Sequence, residues 1–271
     1  LSYEKHIENL TDIANEQIQV EVVRLQLKLN RIVKQLLLLL DTEDGLVLQQ
    51  KNSIYTQIQR IFSEIELELK EAVIPILNES FDSINEVISQ ELSSKFGNIK
   101  HKSISKRIGL TSKNILRNTP LGQLFSLQLG ADSLKNTLTI ASSMKMDIRM
   151  LEKSITVIDS EFLIDKFKKS ISDFILRHSR LSISETAQDN GLNYFIYTNS
   201  LISTSRPFCK EHAGKAFTIE ETKNWVNSPL LNMPEKWKPS YIPLVHMGGF
   251  NCRHFPKYIT ESTYKALKLS Q

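Results

Sequence analysis

Two cysteines in 271 residues are too few for a disulfide framework. Glycine and proline are scarce through most of its length. Of nine glycines only Gly45 precedes Gly97, and Pro207, Pro229, Pro234, Pro239, Pro243 and Pro256 all fall in the last quarter. Residues that punctuate regular structure are therefore missing early and crowded late. That imbalance predicts a long helical body followed by a compact, turn-rich module. Long apolar runs are also missing. The strongest, Leu36 to Leu40, lies between Lys34 and Asp41 and falls far short of the roughly 20 residues needed to cross a bilayer. The opening residues lack a basic start followed by an apolar stretch, so no secretory leader is expected there. A soluble protein without membrane contact is the reading, and in a reducing cytoplasm Cys209 and Cys252 stay thiols unless a metal or a close pairing intervenes.

Acidic residues are absent from Leu92 to Ala131, although the formal net charge is only +4. That gap carries Lys95, Lys100, Lys102, Lys106, Arg107, Lys113 and Arg117. Such a run can neutralise DNA phosphates or meet an acidic protein surface. It lacks the interleaved aromatics on which bases stack, so a solvated linker is the plain alternative. No glycine-rich phosphate loop of either nucleotide-binding pattern is present.

What the sequence does have is helical periodicity. Ile18, Val22, Leu25, Leu29, Ile32, Leu36 and Leu39 step by four and three, the seam of a coiled coil. Turn formers at Asp41-Thr-Glu-Asp-Gly45 interrupt it. A second seam follows at Ile54, Ile58, Ile61, Ile65, Leu69, Val73 and Ile76, running on toward Ile84 and Ile88. Two long amphipathic helices joined by a short turn form an antiparallel hairpin, with Pro75 expected to bend the second or to start a new one. Further stripes occur at Leu151, Ile155, Ile158 and Phe162, and at Phe167, Ile171, Phe174 and Ile175. Another helix is expected from Ser182 to Ser200, carrying Ala187, Leu192, Phe195 and Ile196. Beyond it, β-prone pieces at Leu201 to Thr204 and Tyr241 to Val245 and a helix at Thr218 to Val226 predict a small α+β module, with Trp225 and Trp237 as its core and lid. The expected fold is mainly α, organised as a helical hairpin over 1–94, a basic linker with short helices over 95–133, and a domain over 134–271. In that domain helices run to about residue 200 and the compact module follows.

The module holds the most specific pattern. It contains Arg206-Pro-Phe-Cys209-Lys-Glu-His212-Ala-Gly214-Lys215, then Glu220-Glu221-Thr222 leading to Trp225, and closes on Gly248-Gly249-Phe250-Asn251-Cys252-Arg253-His254. The paired glycines permit a tight turn with positive φ, from which the next four residues present polar side chains. Cys209, His212, Cys252 and His254 supply four ligands of the kind tetrahedral zinc takes, with His246 as a substitute. A direct Cys209–Cys252 contact, as a thiol pair or a disulfide fastening two loops, or two unrelated buried cysteines, would satisfy the same spacing. His246, Asn251 and His254 could also form a nuclease centre, but they are too close in sequence for the usual arrangement and no acidic ligand lies near. Arg206 and Arg253 are expected to hold the turns through hydrogen bonds to carbonyls or carboxylates.

This pattern resembles the C-terminal domain of the Mu F-like family of phage minor head proteins. Arg206 and Cys209 match its first element, Gly214 and Lys215 the following turn, and Asn251, Cys252, Arg253 and His254 its terminal signature. Arg180 followed by Ser184-Glu185-Thr186-Ala187 is similar to the upstream family helix, with the Thr-Glu pair inverted. The match spans roughly Arg180 to Lys257. It implies a non-enzymatic virion component inside the head near the portal, present in the host cytoplasm during assembly. Its partners would be the portal or major capsid protein and packaged DNA, and its role head morphogenesis with DNA packaging or ejection. The competing class is a prophage-encoded metal-dependent nuclease, or another enzyme using the Cys/His cluster.

Overall fold

The computed structural model describes residues 3–38, 51–99, 160–198, 201–231 and 233–270. It is mainly helical, with one small antiparallel sheet near the C-terminus. Helix α1 runs Tyr3–Leu38, α2 Lys51–Phe96 and α3 Ser160–Asp189. The described residues fall into two compact units. One holds those within 1–13, 79–109 and 171–271, the other those within 14–78 and 110–170.

In the second unit the expected seams are the buried faces. Ile18, Val22, Leu25 and Leu29 of α1 are buried, as are Ile65, Leu69 and Val73 of α2, joined by Phe62 and Leu77. Ile32, Ile61 and Ile76 are only half-buried, while the side chains of Leu36, Leu39, Ile54 and Ile58 lie outside the described residues. Glu68 accepts from Arg24 at 3.0 Å and Lys28 at 2.5 Å, and those two hydrogen bonds hold its carboxyl below the usual range. Exposed pairs of this kind add little stability, so the apolar seam is what joins the helices. Helix α2 continues through Pro75, which is exposed; no new helix starts there.

In the first unit the start of α1 lies beside the end of α2, with the Lys95 ammonium 5.9 Å from the Tyr3 ring, as an antiparallel hairpin requires. Phe81, Ile84, Ile88 and Leu92 of α2 are buried with Ile171, Ile175, Leu176 and Ile183 of α3. The His178 ring stacks on Phe81 at 3.8 Å, and the Ser182 hydroxyl donates to Asn85 at 2.6 Å.

Helix α3 stops at a glycine. Gly191 has φ +72, and Leu192 N donates back to Ala187 O at 2.9 Å, a left-handed C-terminal cap. The chain then enters strand β1, Tyr194–Tyr197, so the helix expected to reach Ser200 ends eleven residues earlier and Phe195 and Ile196 belong to a strand. The physical reason is twofold: Asp-Asn-Gly ends the helix, and Tyr-Phe-Ile-Tyr is a β-prone run. Helix α4 (Pro207–His212) follows. Strand β2 (Ala216–Thr218) and strand β3 (Pro256–Ile259) flank β1 in the order β2-β1-β3, all antiparallel, with Phe195 opposite Phe217 and Tyr258. The strands expected at Leu201 to Thr204 and Tyr241 to Val245 do not form. The first is turn and irregular backbone, and the second becomes helix α6 (Pro243–His246), because Pro243 fits the first helical position and has no N–H for a sheet. Between them helix α5 (Ile219–Thr222) opens with a capping box between Thr218 and Glu221 and runs into a 3₁₀ turn at Lys223–Asn227, where a helix was expected. Helix α7 (Glu261–Ser270) follows β3. Trp225 is buried in the core of this module; the Trp237 side chain lies outside the described residues. No described helix is long and apolar enough to cross a membrane.

Candidate functional site

Three chain segments bring the sequence motifs together. The central strand β1 ends at Tyr197, whose backbone is held by the turn after α4: its N–H donates to Lys215 O at 3.0 Å, and its carbonyl accepts from Gly214 N at 2.8 Å. Gly214, at φ +77, makes the turn after α4 that allows this. Helix α4 presents Cys209 toward Tyr197. The turn after α6 delivers Cys252 and His254 from the other side.

That turn is tightly specified. Met247 and Asn251 have positive φ, 47° and 55°, and are the only described non-glycine residues that do. Such backbone is costly and persists only where surroundings impose it. Two hydrogen bonds impose it here: the Tyr241 hydroxyl donates to Met247 O at 2.6 Å, and Asn251 N donates to the Asp173 carboxylate at 2.5 Å. Gly249 takes the positive φ expected of the glycine pair. Gly248 is needed for space instead: a Cβ there would overlap the Cys209 sulfur and sit 3.3 Å from the Tyr197 hydroxyl. Arg206 donates to Phe250 O at 2.5 Å, tying the start of α4 to the same turn as the sequence predicts. Arg253 is exposed and has no hydrogen-bond partner among the described residues.

The result is a buried cluster. Cys209, Cys252 and His254 are 2 %, 2 % and 4 % exposed, and one ligand atom from each lies within 4.8 Å of the others, so the three can hold a metal ion. The two sulfurs are 3.9 Å apart, and Cys252 Sγ is 3.5 Å from His254 Nδ1. The Tyr197 hydroxyl lies 3.4 Å from one sulfur and 3.6 Å from the other. A hydrogen bond from Cys209 holds Cys252 well below the usual thiol range, helped by His254 and by the positive charge of Arg180, whereas Cys209 is held up by the same bond and by burial. Burial, with the two sulfurs beside it, pushes the Tyr197 phenol far up.

His212, the fourth ligand expected from the sequence, stands apart from this group. Its ring stacks on Phe208 at 4.0 Å, its Nδ1 lies 2.7 Å from Phe208 O, and burial lowers its pKa. His246 accepts the Ile242 N–H through Nδ1 at 2.8 Å, and burial brings it down to about 4. Neither it nor Asn251, whose backbone is held by Asp173, joins the sulfurs in a nuclease-like group. Of the basic run, Lys95 pairs with Glu91 on its own helix. Lys100, Lys102, Lys106, Arg107, Lys113 and Arg117 lie outside the described residues.

Sequence reasoning missed the polar stripe of α3. Asp173 is buried, pairs with Arg177 at 2.7 Å, and has its carboxyl raised by burial against the pull of that arginine. Arg180 is wholly buried. Its Nε donates to Leu176 O at 3.0 Å, and its two terminal nitrogens have no partner among the described residues. The signal was present as spacing: charges at 173, 177 and 180, stepping by four and three between buried Ile171, Ile175 and Ile183, put a charged stripe on an inward face. No family model, no curated protein and no solved structure matches the chain.

Proposed function

We propose that this protein is a Mu F-like minor head component of a tailed phage, a non-enzymatic part of the virion acting near the portal in head morphogenesis. The observation that carries this reading is the meeting of the two motif segments on which the resemblance rests. Arg206 of the first reaches the carbonyl of Phe250 beside the second, and Cys209 faces Cys252 across 3.9 Å. Segments more than forty residues apart are thereby fastened into one clasp. Cys209, Cys252 and His254 are almost fully buried, which suits a structural fastening rather than turnover of substrate. In this reading the ion they hold is zinc, which takes thiolate and imidazole ligands and stabilises small modules with little core. The helices then supply the surface for the portal or capsid protein, and the basic run from Lys95 to Arg117 neutralises phosphates of the packaged DNA.

Mass spectrometry of purified phage particles tests the proposal. The protein is expected to co-purify with the heads at low copy number relative to the major capsid protein. Recovery only among unassembled soluble proteins of the lysate would overturn it.

A further inference from the structure

The cluster has a fourth member that the Cys/His pattern does not announce. A tetrahedral ion with bonds of about 2.3 Å to sulfur and about 2.0–2.1 Å to nitrogen or oxygen spaces its ligands by about 3.8 Å between two sulfurs and about 3.5 Å between sulfur and nitrogen or oxygen. Four of the six separations lie at contact distance and can be compared with those edges, while Cys209 and His254 are placed only within 4.8 Å of each other. The sulfurs are 3.9 Å apart, Cys252 Sγ and His254 Nδ1 are 3.5 Å apart, and the Tyr197 hydroxyl is 3.4 Å and 3.6 Å from the two sulfurs. All four agree within about 0.2 Å. We infer that Tyr197 is the fourth ligand of a zinc ion held by Cys209, Cys252 and His254, bound as phenolate. This rests on the zinc reading above and names the residue that completes it.

Two further observations favour the phenol over His212. His212 has its Nδ1 engaged on Phe208 O and its ring sandwiched between Phe208 at 4.0 Å and Phe217 at 5.3 Å, so reaching the sulfurs would require leaving that stack. Tyr197 needs no movement: it is 0 % exposed, and its backbone N–H and carbonyl are both hydrogen-bonded to the Gly214–Lys215 turn. Charge also fits. Two thiolates and a phenolate around a dication leave one net negative charge, and the wholly buried Arg180, whose charge is felt at Cys252, supplies the compensating positive one. On binding, the protons still held by the sulfurs and by the phenol pass to solvent, and no electron changes hands. Gly248 closes the site from above, since any side chain there would meet Cys209, Tyr197 and Cys252 together.

The test is a zinc titration of the full chain, freed of metal by a chelator under a thiol reductant and followed by the near-ultraviolet absorption of tyrosinate. The wild type is expected to gain one tyrosinate per chain, saturating at one equivalent of zinc. Tyr197→Phe should lose that signal and bind zinc roughly 10-fold to 100-fold more weakly, the scale on which altered metal surroundings act. His212→Ala should keep both signal and affinity. Stoichiometric zinc without tyrosinate in the wild type overturns the tyrosine ligand and leaves the zinc reading standing, and so does loss of tight binding in His212→Ala with Tyr197→Phe unaffected. A wild-type chain that binds no zinc overturns both. The wild-type signal decides the matter even if a variant fails to fold.

Discussion

Replacing Asp173 with alanine is expected to lower the melting temperature by about 10 °C. Asp173 joins α3 to the turn carrying the cluster. It accepts the Asn251 N–H at 2.5 Å and pairs with Arg177 at 2.7 Å, and its own side chain is 5 % exposed. Alanine removes both at once. The Asn251 N–H loses its acceptor in a turn whose backbone already sits at positive φ, and Arg177 is left as a largely buried cation without its anion. Removing one partner of a buried ion pair costs about 3–5 kcal/mol. The Arg177 side chain is a quarter exposed, which places the loss toward the lower end. At about 2–4 °C per kcal/mol for a chain of this size, that gives the stated shift. Asp173→Asn keeps an acceptor for the N–H and should lose less. Thermal unfolding of the three proteins at neutral pH checks the order; equal melting of wild type and Asp173→Ala would remove this residue from the account of the turn.

The second large effect is a pH dependence set by His178. Burial pulls this imidazole down to about 4, its ring is stacked on Phe81, and neither ring nitrogen has a partner among the described residues. The sign follows from where the proton binds. Above about pH 6.5 the ring is neutral both folded and unfolded, and the full stability is present. Below that the unfolded chain takes up a proton that the folded chain refuses until about pH 4, so stability falls as pH falls through this window. The loss amounts to something on the order of 3 kcal/mol by pH 4. His178→Phe preserves the stack without a titrating group, so its stability at pH 7.5 should match or exceed that of the wild type. Its denaturant midpoint should also drop much less on going to pH 4.5. Some slope will remain, because burial lowers His246 to about 4 as well. An unchanged slope in the variant would show that His178 does not carry the effect.

How much of this was legible beforehand differs by region. The hairpin seams were readable because a repeat of four and three has one meaning for long amphipathic segments, and the positions it marks, from Ile18 to Leu29 and from Ile65 to Val73, are the buried ones. The end of α3 was misread because Leu192, Phe195 and Ile196 also satisfy a helical spacing. Asp189-Asn-Gly191 held the stop signal, and local turn chemistry outweighed periodicity. The expected strand at Tyr241 failed for a related reason, since Pro243 starts a short helix there.

The site was legible in part. Cys209, Cys252 and His254 stand out by residue type, and Gly248-Gly249 by the turn they make. His212 looked equivalent to His254 because spacing alone cannot say that its ring stacks on Phe208. Tyr197 gave no signal, being one aromatic in an alternating strand, and its relation to the sulfurs arises only when β1 pairs between β2 and β3. The glycine pair predicts a positive φ, which Gly249 takes, whereas Gly248 leaves room for Cys209. Contacts that depend on strand register are properties of the folded chain, and no local pattern encodes them.

The clasp itself is most directly tested by elemental analysis of the full chain, purified under reducing conditions without added metal or chelator. One zinc per chain is expected, falling to none in Cys252→Ser. A folded wild-type protein that carries no metal, or a Cys252→Ser variant that retains the full equivalent, would contradict it.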